Sequence, residues 1–154
     1  YATDPEGNII EVQQWAAKPG PAAQEEFRGT LLLLCGAFAL CRLPAGAPMP
    51  PLPPGETFCS ITRTADELSL ILPQDHVPPG AQSEGGWRCL QVQGPLDSSL
   101  TGVLSSLSAP LAGHGISILA VATYDTDYLF VRQADLARAI EVLTQSGHQV
   151  KKHS

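Results

Sequence analysis

The sequence has no apolar stretch long enough to cross a membrane. Its longest, Leu31 to Cys41, runs for eleven residues, where a spanning helix takes about 20. Aromatic residues make up only 6%, which leaves few platforms for stacking nucleobases. Basic residues are scarce as well. Nine Lys and Arg stand against 15 Asp and Glu, for a net charge of −6, whereas a nucleic-acid binder carries a basic face. No C-x-x-C pair occurs among Cys35, Cys41, Cys59 and Cys89, so neither a zinc knuckle nor a dithiol redox motif is expected. Cys41, Cys59 and Cys89 lie in apolar, strand-like segments and read as small buried hydrophobes in a reducing cytosol. The histidines, His76, His114, His148 and His153, fall in loops, by a strand end or at the tail, and are expected to be solvated. No Ser/His/Asp order and no H-E-x-x-H appears. Gly113 and Gly115 open a G-x-G, but Ile118 stands where a third glycine belongs, and no P-loop occurs. Catalytic residues, a metal, a cofactor, nucleic acid and a membrane are therefore all absent from the expectation.

What is present is a core. The chain has 154 residues, 44% of them hydrophobic and 16% charged, enough for one domain or two small modules. Ala45-Gly46-Ala47 after the apolar run has the small-residue pattern of a signal-peptidase site. However, Glu25 and Glu26 precede the run where Lys and Arg should stand, so a cytoplasmic protein is expected. The chain begins with Tyr1 and reads as a fragment or a trimmed product.

Residues 17–28 are rich in Ala, Pro and Gly in their first part and read as a linker. Ala37 to Leu43 is a short buried strand, ended by Pro44. Six prolines fall from Pro44 to Pro54, which makes an extended connection without a helix. Thr57 to Thr62 and Glu67 to Leu72 read as two strands around a turn at Arg63 to Asp66. Pro73 to Gly86 is polar, with one helical turn around Asp75. Trp87 to Val92 reads as a strand. Asp97 or Ser98 then caps a helix carrying Leu100, Val103, Leu104, Leu107 and Leu111 at helical spacing, which stops at Gly113 to Gly115. Ile116 to Thr123 and Asp127 to Val131 are strands around the turn Tyr124-Asp125-Thr126. Asp135 to Ser146 is a second helix, with Leu136, Ile140 and Leu143 on one face. Gly147 caps it and His148 to Val150 closes as a strand. From Trp87 the order is β-α-β-β-α-β, the ferredoxin-like split motif.

The two strand-turn-strand units match each other. Ile61 to Leu68 aligns with Ala122 to Leu129, and both carry T-x-x-x-D, Thr62 to Asp66 and Thr123 to Asp127, at an offset of 61 (123 − 62 and 127 − 66). A Thr ending one strand and an Asp opening the next can place hydroxyl and carboxylate on one side of a sheet edge. The chain thus reads as two copies of one unit, the first having lost its first helix to the proline loop.

Four segments carry a family resemblance: F-A-L-C-R-L-P (Phe38 to Pro44), S-I-T-R-T-A-D-E-L-S-L-I (Ser60 to Ile71), G-W-R-C-L-Q-V-Q-G-P-L-D (Gly86 to Asp97) and G-I-S-I-L-A-V-A-T-Y-D-T-D-Y-L-F-V (Gly115 to Val131). They resemble the ACT domains of small bacterial tandem-ACT proteins and of animal cytosolic arginine sensors. The resemblance implies an α+β fold of two ferredoxin-like, ACT-type halves, the first (residues 29–85) lacking a full first helix and the second spanning residues 86–151. It also implies a non-catalytic regulatory module that binds a free amino acid between the halves or at a dimer interface. Thr123, Tyr124, Asp127 and Gly102 match the family's pocket, and Ser60 and Ile61 match the opposing repeat. The arginine sensors' acidic residue two before that glycine is Leu100 here, one carboxylate fewer. Such a module would act on a second copy of itself, as a homodimer, or on a regulated enzyme. A ligand-free assembly module is the alternative within this resemblance.

A second resemblance covers residues 1–16. Asp4-Pro5-Glu6-Gly7-Asn8 followed by Ile9-Ile10-Glu11-Val12 resembles the closing hairpin of the glyoxalase, or vicinal oxygen chelate, superfamily, whose metal-binding members would use Glu11. The remaining ligands are missing from this sequence, and one carboxylate does not hold a catalytic metal. The segment therefore reads as the remnant of a neighbouring domain, and a truncated enzyme of that superfamily fused to an ACT module is the other alternative.

Overall fold

The computed structural model describes residues 27–55, 57–97 and 101–153. The expectations for residues 1–16 and most of the linker lie outside them, as do Ser98 and Leu100.

Among the described residues, eight strands and two α-helices follow one another as β1 (Thr30–Leu33), β2 (Phe38–Pro44), β3 (Ser60–Arg63), β4 (Glu67–Pro73), β5 (Gln82–Val92), α1 (Val103–Gly113), β6 (Ile118–Ala122), β7 (Asp127–Arg132), α2 (Leu136–Gln145) and β8 (Gln149–Lys152). All strands join one sheet. β5 organises it because it is eleven residues long and serves both units. Its N-terminal half pairs with β2, through Arg42 opposite Gln82 and Phe38 opposite Trp87. Its C-terminal half pairs with β7, through Gln91 opposite Tyr128. The first unit therefore runs β3-β4-β2-β5 and the second carries β5-β7-β6 with β8 beyond, the same ferredoxin-like strand order twice. The expected boundary at residues 85 and 86 falls inside β5.

β1 is an element that the sequence reading passed over. It lies between β5 and β8, antiparallel to the first and parallel to the second, so β8 never touches β5 as a strand neighbour. Leu31, at its centre, is 1% exposed. Its signal was the start of the Leu31 to Cys41 run, which is divided between β1 and β2. Gly36, at φ 80°, breaks them apart.

The helices cover one face of the second unit. Leu90, Val92, Leu129 and Val131 of the sheet pack against Val103, Leu107 and Leu111 of α1 and Ala139, Val142 and Leu143 of α2. Burying each large aliphatic side chain here contributes about 1.5–3 kcal/mol before entropy is counted. The same face of the first unit carries Ala39, Cys41, Leu68, Leu70 and Leu72, all buried. Among the described residues no helix covers them. Ala47 of the proline loop and Val77 and Ala81 after β4 do so instead. The first unit has therefore lost both helices, not only the first. The second is reduced to a single 3-10 turn, Gln74–His76, because only residues 74–81 connect β4 to β5.

Two further expectations change. α1 starts at Val103, with Gly102 rather than Asp97 at its N-cap, φ 76° and no side-chain cap. His148 is 2% exposed, not solvated. It packs between β1 and α1, where its Nδ1 accepts the Gly29 N–H at 3.2 Å and its Nε2–H donates to the Ser106 carbonyl at 3.3 Å.

Candidate functional site

The hairpins β3–β4 and β6–β7 have the same register. Arg63 pairs with Leu68 across the first turn and Ala122 with Asp127 across the second. The equivalence is an offset of 59 (122 − 63 and 127 − 68), which replaces the offset of 61 read from the sequence. Thr64, not Thr62, is the partner of Thr123. Each Thr opens a four-residue turn and donates a backbone bond within it. Thr64 N–H donates to the Glu67 carbonyl at 2.9 Å and Thr123 N–H to the Thr126 carbonyl at 2.8 Å. Each hydroxyl also folds into its own turn. Thr64 Oγ1 accepts the Asp66 and Glu67 amides, and Thr123 Oγ1 donates to the Thr126 carbonyl at 2.9 Å. The shared motif is thus T-x-D, Thr64 to Asp66 and Thr123 to Asp125. Shifting by two residues preserves strand alternation, so hydrophobic pattern alone could not separate the registers.

Thr62 is freed by this correction to lie on β3, directly opposite Ser69. There it lines the candidate site. Among the described residues β3 pairs only with β4, and β6 pairs only with β7. These equivalent strands, one from each unit, flank a groove of about 470 Å³ lined by Ser60, Ile61 and Thr62 on one side and Ala120, Val121 and Ala122 on the other, with Ser69, Leu70 and Ile71 from β4. Two backbone edges therefore border a partly apolar gap, as the repeat requires.

Of the residues singled out in the sequence, Ser60 and Ile61 line this groove. Thr123 and Tyr124 continue the chain from its wall at Ala122, and Asp127 pairs with Ala122 across the hairpin. The Tyr124 side chain is fully exposed. Gly102 lies outside the lining, at the start of α1. The loop leading to α1 is fastened to the β6–β7 turn: Leu96 N–H donates to the Asp125 carbonyl at 2.8 Å and Thr126 Oγ1 donates to the Val92 carbonyl at 2.6 Å. Gly94 is required there. A Cβ on it would stand 3.1 Å from the Asp125 carbonyl oxygen and 3.2 Å from the Thr126 Cβ. Ser69 and Val121 are lining residues that sequence reasoning missed, and Thr62, singled out there as a turn residue, lines the groove instead. Strand alternation around Ser60 could have found Thr62, but Ser69 needed the β3–β4 register.

Behind the groove lies an aromatic cluster on the face opposite the helices. Phe38, Phe58 and Phe130 pack edge-on, Phe58 lies 4.7 Å from Tyr128 between ring centres, and Val121 and Ile71 border them. Burial raises the Tyr128 hydroxyl pKa, and the charges of Cys89 and Asp125 add to it. Burial also pushes the Cys89 thiol far above the ordinary thiol range. Neither group is therefore a nucleophile at neutral pH. Among the described residues no cluster of three or more His, Cys, Asp or Glu is placed to hold a metal ion, and no helix is long and apolar enough to cross a membrane.

Two copies of a ferredoxin-like strand order, the second with both helices on one face, define the class as a small α+β domain built by duplication. Comparisons with known proteins carry this further. The family described as "ACT domain" matches residues 82–145, and one described as an N-terminal domain matches residues 36–80. A crystal structure of a protein from Agobacterium tumefaciens is 37% identical, with a TM-score of 0.77, over 83% of this chain and 96% of that one. The cytosolic arginine sensor for mTORC1 subunit 1 of Bos taurus is 31% identical over 57% of this chain. The present chain spans 30% of that sensor's length. The ligand-free regulatory subunit of aspartate kinase from Thermus thermophilus shares the fold at 10% identity, with a TM-score of 0.53 over 79% of this chain and 99% of that one. Residues 82–145 thus carry the ACT-domain match.

Proposed function

We propose that this chain is a non-catalytic regulatory module of the cytosol that binds a free α-amino acid in the groove between β3 and β6. The carrying observation is the meeting of two equivalent strand edges, unpaired among the described residues, across a gap of about 470 Å³. An α-amino acid presents an ammonium and a carboxylate side by side. Strand carbonyls can accept from the first and strand amides can donate to the second. Ser60 and Ile61 contribute one edge. Thr123, Tyr124 and Asp127 close the end of the other, where the Asp127 carboxylate adds a charged partner for the ammonium. Gly102 leaves the start of α1 open to close approach. The arginine sensor among the relatives supports an amino acid as the ligand class.

Because each unit supplies one wall, a ligand tightens one arrangement of the two units over others. That differential affinity is what a regulated partner enzyme, or a second copy of the chain, would read. The test is a thermal melt with a pool of the standard amino acids at millimolar concentration. A ligand at about 100 times its Kd stabilises by roughly 2.7 kcal/mol. The parent midpoint should rise and the Asp127→Ala midpoint should stay put. A parent that ignores the pool while folded is an assembly module instead.

A further inference from the structure

The groove has a distinct chemistry on its aromatic-cluster side. Register places Ser60 opposite Ile71 and Thr62 opposite Ser69, so their side chains share one face with Ile71, which packs in the aromatic cluster. Val121 reaches the same face from β6, opposite Tyr128. Three hydroxyls thus stand against an apolar wall of Ile71 and Val121. Among the described residues none of the three hydroxyls is spent in a hydrogen bond. No ionisable side chain belongs to the lining. The carboxylate on this face of β4, Glu67, stands two residues beyond Ser69, at the turn and outside the lining.

A cationic side chain entering this space would surrender hydration without finding an opposite charge in the lining, which is costly. A purely aliphatic one would strip water from three hydroxyls and return no bond to them. A short side chain with its own hydroxyl or amide satisfies both walls. We propose that the groove selects an α-amino acid with a small, uncharged, hydrogen-bonding side chain, of the serine, threonine, asparagine and glutamine class, over arginine and lysine. This rests on the groove being the amino-acid site.

Calorimetric titration of the whole chain with threonine, asparagine, glutamine, arginine, lysine and leucine, each alone, tests it. One of the neutral polar ligands should bind at least about tenfold more tightly than arginine, lysine or leucine, as a site built to hydrogen-bond discriminates. Thr62→Val, an exposed isosteric change, should weaken that ligand several-fold and leave the unliganded melting temperature in place. Tightest binding by arginine, lysine or leucine overturns the selectivity while leaving an amino-acid site standing. Neutral polar binding that Thr62→Val does not touch places the ligand elsewhere and overturns the assignment of these hydroxyls. No binding by any amino acid overturns the site itself.

Discussion

The Nε2–H of His148 donates to the carbonyl of Ser106 at 3.3 Å, and it does so where the helix cannot. In an α-helix that carbonyl receives the N–H four residues on. Here that residue is Pro110, inside α1 and without an N–H. A buried imidazole from the residue before β8 fills the vacancy, and its Nδ1 holds the Gly29 amide that leads into β1.

His148→Phe keeps the ring volume and removes both bonds. Two half-buried polar groups then lose their partners, at up to about 1–3 kcal/mol for each group left unpaired. Urea denaturation should show the loss. Pro110→Ala returns an N–H to the Ser106 carbonyl, so it should stabilise the His148→Phe background more than the parent. Equal effects in both backgrounds would show that His148 and Pro110 do not share that carbonyl.

Thr126→Val should destabilise the β6–β7 turn by about 1 kcal/mol, the net worth of an ordinary buried hydrogen bond. The residue is 5% exposed and its hydroxyl reaches the Val92 carbonyl across 34 residues of chain. The turn also ends the groove wall, so ligand affinity should fall along with the melting temperature. A melting change without an affinity change would separate the turn from the site.

Gly94→Ala should be worse than its size suggests. The added methyl would meet backbone oxygen and nitrogen as well as the Thr126 side chain, and crowding of this kind costs about 1–3 kcal/mol. Gly113→Ala is the control, because nothing stands within 4 Å of its added carbon.

Stability should fall on the alkaline side. Burial raises the pKa of Cys41, Cys59 and Cys89, and burial chiefly raises that of Tyr128. The folded protein therefore keeps these protons at a pH where the unfolded chain gives them up. Their stabilising contribution is complete below the unfolded thiol pKa of about 8.5 and drains away as pH rises beyond it. Melting temperatures at rising pH should show the fall, and Cys89→Ala should make it shallower even while lowering the starting value. A slope unchanged in that variant would assign the loss to other groups.

Thiol labelling of the native protein should find one fast site. Cys35 is exposed, whereas Cys41 and Cys89 are buried. Mass spectrometry after brief alkylation should place the first adduct on Cys35, and fast loss of Cys89 would mean that the sheet opens readily.

Most of the elements were legible because their patterns are local. Strand alternation, helical spacing in α1 and α2, and the prolines after Pro44 each depend on neighbours within a few residues. The resemblance to ACT domains was legible for a similar reason, since its motifs lie in contiguous strands and turns. Four features were not. The lost second helix of the first unit, the placement of β1 between β5 and β8, the offset of 59 and the burial of His148 all depend on which strand lies beside which. Alternation looks the same when a strand slides by two residues, so Thr62 was read as the partner of Thr123 until pairing put it opposite Ser69. A histidine after a glycine looks like a loop residue until a proline elsewhere leaves a carbonyl for it to meet. By itself the sequence determined the units and their repetition, because local sterics and side-chain periodicity act along the chain. Only the tertiary structure decided the register, the shared β5 and the groove between β3 and β6, because hydrogen bonds and packing between distant segments have no signature in either segment alone.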